Sequence, residues 1–442
     1  MASPIVNIDD LINAQDVRRT LPLILFWAAA AMLADGYDLL SIAYAGPMII
    51  KEWGLNKHDF ALVLSVSAGA SMLGGFACGY FADRYGRKNS IVFGTLLLGL
   101  STLGSTLATN LNELLIWRAI AGFGIGTVPP VAIALVNEFA PQRLRATIVA
   151  ALYLGTTIGA WSAAQARDLL APAHGWQIMF LIGGIAPLAV CAGLALFLPE
   201  SPRFLVIRRS GSRQLARIAQ RLAPTASFAP ETRFITTSEL SARGDPLRLL
   251  FVEGRWRITL TFWLAYFASG LTLYTMLYWS PIILVSLGIG DRHAAVVSGW
   301  AGLAGWVGGV IITRLIDRFG LRAMVVPPLL GIALVGGLGY LGGMPSALIA
   351  AVTLLGGMAF SGGQAGLHAT GGLIYPTAIR ANGIGLGLFV TRSAGVVGPF
   401  ITAQLYVGEH AVQHVLWSAA LPLVVVSICY LMLARLHVQG HA

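Results

Sequence analysis

Charge is what this chain has least of: Asp, Glu, Lys and Arg together make up 11% of its 442 residues, where soluble domains carry about 25%. Combined with 56% hydrophobic residues, that shortage excludes a water-soluble fold, because too few charges exist to cover a surface. Cysteine is also rare. Cys78, Cys191 and Cys429 all sit in apolar runs without metal-ligand spacing, which excludes a disulfide framework and leaves buried thiols. No P-loop, HExxH, GxSxG or EF-hand pattern occurs, so the chain is not expected to be an enzyme, and no metal or cofactor is expected. A cleavable leader is not expected either, since the first apolar run is too long and lacks a small-residue cleavage pattern.

What is present is a succession of apolar windows longer than 18 residues, the mark of a polytopic membrane protein. Twelve spans are expected at residues 21–46, 60–82, 90–109, 113–139, 146–170, 177–198, 256–286, 294–316, 323–342, 346–374, 382–406 and 411–435. The expected organisation is an all-α bundle of two six-helix halves, 1–198 and 256–442, joined by a polar linker at 199–255.

The cations orient it. Counting loops alternately, 23 of the 29 Lys and Arg residues fall on the side of the N-terminus, and Lys51, Lys57, Arg292 and Arg167 fall on or near the other. The positive-inside rule then predicts an inner-membrane protein with both termini cytoplasmic. The same placement accounts for most of the net charge of +10, so no nucleic-acid partner is needed. The linker's arginines are expected in a solvated loop that can touch anionic lipid.

The first span, Leu21 to Ile50, is uncharged except for Asp35 and Asp38. An ionised carboxylate at the bilayer centre costs roughly 2.5–3.5 kcal/mol on insertion scales, so these two need a cation, a water-filled cavity or a proton. Three residues apart, they share one side of a helix. Arg118 in span four and Arg392 in span eleven are the only other ionisable residues well inside spans. Arg392 lies about ten residues into its helix, hence roughly 15 Å from its inner end, near the midplane. A guanidinium there suits bidentate capture of a carboxylate.

The halves also echo each other. Gly79, Asp83, Arg84, Gly86, Arg87 and Lys88 follow span two, and Asp317, Arg318, Gly320 and Arg322 follow span eight. A loop repeated six helices later implies a duplicated bundle with its site between the halves.

That first loop matches the G-x-x-x-D-R-x-G-R-K signature of the major facilitator superfamily at every defined position. The second copy is decayed: Thr313 replaces the first glycine. Within the superfamily, Asp35, Gly36, Tyr37 and Asp38 resemble the D-G-[FY]-D of the aromatic acid:proton symporters. Residues 7–12, 375–383 and 391–395 are similar to other stretches of that family, although Thr391 stands where Gly is usual. Arg118, Gly122 and Gly124 resemble the R-x-x-x-G-x-G of helix four.

The resemblance implies alternating access in a functional monomer, with a small organic acid and protons as partners and the proton gradient as driving force. The expected function is import of an aromatic monocarboxylate such as a benzoate derivative. Carriers of nicotinate, muconate, a sugar acid or a sugar are alternatives, and a membrane sensor is disfavoured for want of a signalling domain. Asp35, Asp38 and Arg118 are expected to couple protons, with Asp38 meeting them first and Asp35 holding the internal ion pair. Arg392 is expected to hold the acid, with Asp38, Tyr37, Tyr153, Trp161, Tyr274, Trp300, Trp306, Gln364 and His368 as further contacts. Gly79, Asp83, Arg84, Gly86, Arg87 and Glu138 are expected to form a gate that latches the halves at the cytoplasmic face. There Asp83 approaches the start of helix eleven and Arg84 bridges to Glu138.

Overall fold

The computed structural model describes residues 5–208, 213–224, 228, 232–236, 249–252, 255–375, 377–408 and 410–439. Twelve long helices account for most of them. They are α1 (Val17–Trp53), α2 (Lys57–Tyr85), α3 (Arg87–Ser105), α4 (Leu111–Phe139), α5 (Arg145–Leu169), α6 (Gln177–Phe197), α7 (Trp256–Ser286), α8 (Asp291–Phe319), α9 (Val326–Leu338), α10 (Ser346–Ile374), α11 (Thr377–Leu405) and α12 (Ala411–Gln439). Among the described residues ten stretches are long and apolar enough to cross a membrane; one of them, Asp291–Leu338, holds both α8 and α9, and α3, the expected third span, is not among the ten.

Local chemistry sets the helix starts. The Asn56 and Asn110 side chains accept the Asp59 and Glu113 N–H groups at 2.8 and 3.0 Å, satisfying donors that the first turn leaves free. The repeated loops turn at equivalent glycines, Gly86 with φ +99° and Gly320 with φ +67°, a region closed to most side chains. The ninth span is shorter than expected. Its α-helix ends at Leu338 and is preceded by a 3-10 segment, Gly320–Val325, whose rise of about 2 Å per residue makes up length.

The apolar core shows how the halves meet. At the end of the bundle away from the termini, one continuous cluster joins both halves, with Tyr44, Phe60, Trp176 and Phe180 against Trp279, Ile283, Val415 and Leu416. At the end carrying the termini the core splits in two. Met32, Val131 and Leu194 belong to a cluster of the N-terminal half, and Phe262, Met324 and Tyr430 to one of the C-terminal half.

The linker departs from the expected solvated loop. Its helix Arg213–Leu222 buries Leu215, Ile218, Ala219 and Leu222, one apolar stripe at helical spacing, against the N-terminal half. Strand β1 (Ile5–Asn7) pairs in parallel with β2 (Arg233–Ile235), and Asp9 binds Arg203 at 2.7 Å and Thr236 at 2.9 Å. Enough apolar residues occur at the right period to hold this segment on the bundle.

Candidate functional site

Helix α1 presents its two aspartates to different surroundings. Asp38 faces the interior of its own half. Arg118 on α4 donates to it twice, Nη1 to Oδ1 at 3.0 Å and Nη2 to Oδ2 at 2.8 Å, and Thr102 on α3 donates to Oδ1 at 2.8 Å. Both side chains of the pair are fully buried, and Phe180 lies 5.7 Å from the guanidinium. Both Asp38 oxygens are thus engaged, with no exposure in this conformation. The expected division between the aspartates is reversed: Asp38, not Asp35, holds the internal ion pair.

Asp35 is 2% exposed, and its Oδ1 has no hydrogen-bond partner among the described residues. The cation whose charge acts on it comes from the other half: Arg392 of α11. That guanidinium crosses between the halves and donates from Nη1 to the Ser71 carbonyl at 3.1 Å and, less closely, to the Gly126 carbonyl at 3.4 Å. Glycine makes the notch. A Cβ on Gly75 would collide with Nη1, and one on Gly126 would collide with the Ser71 carbonyl. Arg392 is half-buried, and a neutral carbonyl is a weaker partner for it than a carboxylate.

Tyr153 of α5 and Tyr274 of α7 lie in the field of both Arg392 and Asp35. The Tyr274 ring lies against Gly395, one helical turn from Arg392, where a Cβ would come within 3.0 Å. Next to them in the C-terminal half, Ser269 donates to Gln364 at 2.5 Å and the Tyr266 hydroxyl meets His368 Nδ1 at 2.8 Å. The structure thus groups Asp35, Arg392, Tyr153 and Tyr274 where the halves meet, with the Gln364 and His368 pairs on α7 and α10.

Other expected contacts sit elsewhere. Tyr37 turns into the N-terminal half, its ring against the Gly183 position of α6, because two residues along a helix is about half a turn from Asp35. Trp161 stacks edge-on with Trp300 at 5.6 Å, tying α5 to α8. Trp306 is half-buried further along α8.

The family model described as "Sugar (and other) transporter" matches residues 24–438. The chain belongs to that family of the major facilitator superfamily. It is a membrane transporter, not an enzyme. Among curated relatives it is 30% identical to a gallate transporter of Pseudomonas putida, over 90% of this chain and 88% of the relative. It is 28% identical to the 4-hydroxybenzoate transporter PcaK of Pseudomonas aeruginosa, over 94% and 93%. Among solved structures, the xylose transporter XylE of Escherichia coli in a partially occluded inward open conformation aligns with a TM-score of 0.73 at 18% identity. That alignment covers 92% of this chain and 96% of that one, and it speaks to the fold alone.

In this transporter the charge-rich loop after α2 is wired differently from the expectation. Arg87, not Arg84, reaches Glu138, at 3.2 Å, and the same guanidinium holds Asp83 at 2.8 Å and the Ala82 carbonyl at 2.9 Å. Arg84 donates to Tyr80 at 2.8 Å. Asp83 is 71% exposed and Gly79 has open space beside it. These contacts brace α2 to α4 inside one half; the expected approach of Asp83 to the start of α11 falls on side chains, 377, 378, 380 and 381, that lie outside the described residues.

Glu200 was not singled out by the sequence. Its Oε1 accepts the N–H groups of Arg87, Lys88 and Ser201 at 2.8, 3.1 and 2.8 Å, capping the start of α3 where the helix dipole favours an anion. Its other oxygen fills the space that a Cβ on Gly86 would need. The signal was there in a lone acid beside a helix start, but only folding brings residues 87 and 200 together.

Among the described residues, the ion pairs that join the halves are at the opposite end. Arg167 binds Asp291, and Arg292 donates to the Asp168 carboxylate at 3.2 Å and its backbone carbonyl at 3.0 Å. These form two reciprocal pairs between α5 and α8. Lys57 of α2 sits 3.4 Å over the ring of Tyr406 of α11.

Proposed function

We propose that the chain is a proton-coupled symporter that imports an aromatic monocarboxylate by alternating access. The observation that carries this reading is the buried Asp35 carboxylate, whose Oδ1 has no hydrogen-bond partner among the described residues, in the field of Arg392, a cation that reaches across the halves. A buried carboxylate lacking hydrogen bonds is costly unless a proton or a cation compensates it. A substrate carboxylate recruits the guanidinium fork, because a charged acceptor binds it better than the Ser71 and Gly126 carbonyls. Asp35, losing that cation, takes a proton, and the site becomes neutral enough to cross the midplane. The half-exposed Tyr153 and the Tyr274 ring offer an aromatic substrate two flat walls. Curated relatives named for gallate and 4-hydroxybenzoate transport support the substrate class.

The cation distribution supports an inner-membrane location with the terminal end cytoplasmic. In that orientation the shared core and the reciprocal ion pairs close the outer end, and the split core is the inward-opening side. Arg87 with Glu138 and Asp83 then serves as a brace within the moving half. One chain contains the whole site, so a monomer suffices.

The test is uptake of labelled 4-hydroxybenzoate and benzoate into proteoliposomes with an imposed proton gradient. Accumulation that collapses on adding a protonophore is expected. Accumulation indifferent to the protonophore, or none for any aromatic acid, would overturn the proposal.

A further inference from the structure

Two hydrogen-bonded pairs stand beside the turn of α11 that carries Arg392, and each leaves a nitrogen donor unused. Thr391 donates from Oγ1 to the Tyr266 carbonyl at 3.2 Å, and a Cβ on Gly270 would come within 2.9 Å of the Thr391 carbonyl. The stretch of α7 from Tyr266 to Gly270 is therefore packed directly on that turn. It holds Tyr266 and Ser269, the partners of His368 and Gln364 on α10. From the other half, Tyr153 acts on Tyr266 and lies in the field of Arg392. Burial fixes which atoms are left over. The Tyr266 side chain is fully buried, and its hydroxyl meets His368 Nδ1. A stranded buried hydroxyl proton is costly, so Tyr266 donates and Nδ1 accepts. A neutral imidazole that accepts at one nitrogen carries its proton on the other, which makes His368 Nε2 an N–H donor. Ser269 donates to Gln364 Oε1, which leaves the Gln364 amide nitrogen with its N–H groups. Neither nitrogen has an acceptor among the described residues, and neither is among the atoms sealed from solvent.

We propose that Gln364 and His368 select an oxygen substituent on the substrate's ring: Arg392 holds the carboxylate, and the two N–H groups donate to a ring hydroxyl oxygen. This rests on the symporter reading above and narrows its substrate class from aromatic to hydroxylated aromatic monocarboxylates. Both leftover groups are donors, so they call for an acceptor on the ligand. A site built to hydrogen-bond a substituent discriminates against the analogue lacking it, because its own polar groups are then left unpaired. An unsubstituted ring leaves both donors idle. A ring amine is no better, since its nitrogen accepts poorly and its own N–H groups oppose the two donors.

Isothermal titration of the full chain in detergent with benzoate and its 3-hydroxy, 4-hydroxy, 3-amino and 4-amino derivatives tests this. At one ring position or both, the hydroxy derivative should bind about fivefold or more tighter than benzoate, the worth of one net hydrogen bond. The amino derivative at that position should bind no tighter than benzoate. Two double variants remove each donor together with its buried hydroxyl partner, so that no polar group is stranded: Ser269→Ala with Gln364→Leu, and Tyr266→Phe with His368→Phe. Each should shrink the advantage of the hydroxy derivative over benzoate by about twofold or more. Benzoate binding with no advantage for either hydroxy derivative, an equal advantage for the amino derivatives, or folded double variants that keep the full advantage would overturn this inference and leave the symporter reading standing. Failure of every aromatic acid to bind the parent chain would overturn both.

Discussion

Asp38 and Asp35 stand three residues apart on α1, yet Asp38 receives three hydrogen bonds from Arg118 and Thr102 while Asp35 keeps an oxygen with none. The difference lies in what each faces. Asp38 points into helices of its own half, whose relative positions are fixed by packing. Asp35 lies in the field of Arg392 on α11 of the other half, a distance that changes under the alternating access proposed above. A carboxylate whose partner is permanent is structural; one whose partner can leave is free to exchange it for a proton. The same chemical group thus meets two different surroundings according to the side of the helix it occupies.

The comparison breaks most severely at Arg118. Arg118→Ala leaves a buried aspartate without its cation and should cost about 3–5 kcal/mol, seen as a collapse of folded yield and thermal stability in detergent. The double change Asp38→Asn with Arg118→Met should restore much of it, because no charge is then stranded. If Arg118→Ala is as stable as the parent, Asp38 is not structural.

Asp35→Asn sharpens the other side. It should fold normally and still exchange substrate across proteoliposomes, while gradient-driven accumulation is lost. Concentrative uptake by this variant would move coupling to another residue. Arg392→Lys keeps the charge and loses the fork; KM for an aromatic acid should rise about tenfold, the equivalent of about 1.4 kcal/mol, with stability nearly unchanged. An unaltered KM would show that the fork does not hold substrate. The smallest effect belongs to Thr102→Val, which removes one of three donors to Asp38 and should cost about 1 kcal/mol in unfolding, with transport intact.

The ends of the molecule differ in the same way. At the end away from the termini the halves share a core and two reciprocal Arg–Asp pairs; at the other, among the described residues, Arg87 pairs within its own half. The sequence drew attention to Asp83, Arg84 and Glu138 because they sit in a repeated, charge-rich loop. It was silent on Asp168 and Asp291, which look like ordinary helix-end acids beside ordinary helix-end arginines. Residues 167–168 and 291–292 become a clasp only because α5 and α8 meet. Which arginine reaches Glu138 was likewise beyond the sequence: Arg84 lies in the last turn of α2, whereas Arg87 follows the Gly86 turn at the start of α3, where Glu200 accepts its backbone N–H.

From sequence alone came the membrane class, the two six-helix halves, the family and the short set of intramembrane charges. Each rests on local physics: apolar length against bilayer thickness, and the cost of burying a charge. Tertiary structure decided the pairings. It gave Asp38 to Arg118 and left Asp35 to Arg392, turned Tyr37 toward α6, and folded part of the linker onto the bundle. Partnership depends on which helix stands opposite and on the gap that glycines such as Gly75 and Gly126 leave between backbones. Spacing along one chain sets the face a residue occupies, but only the packed bundle sets what that face meets.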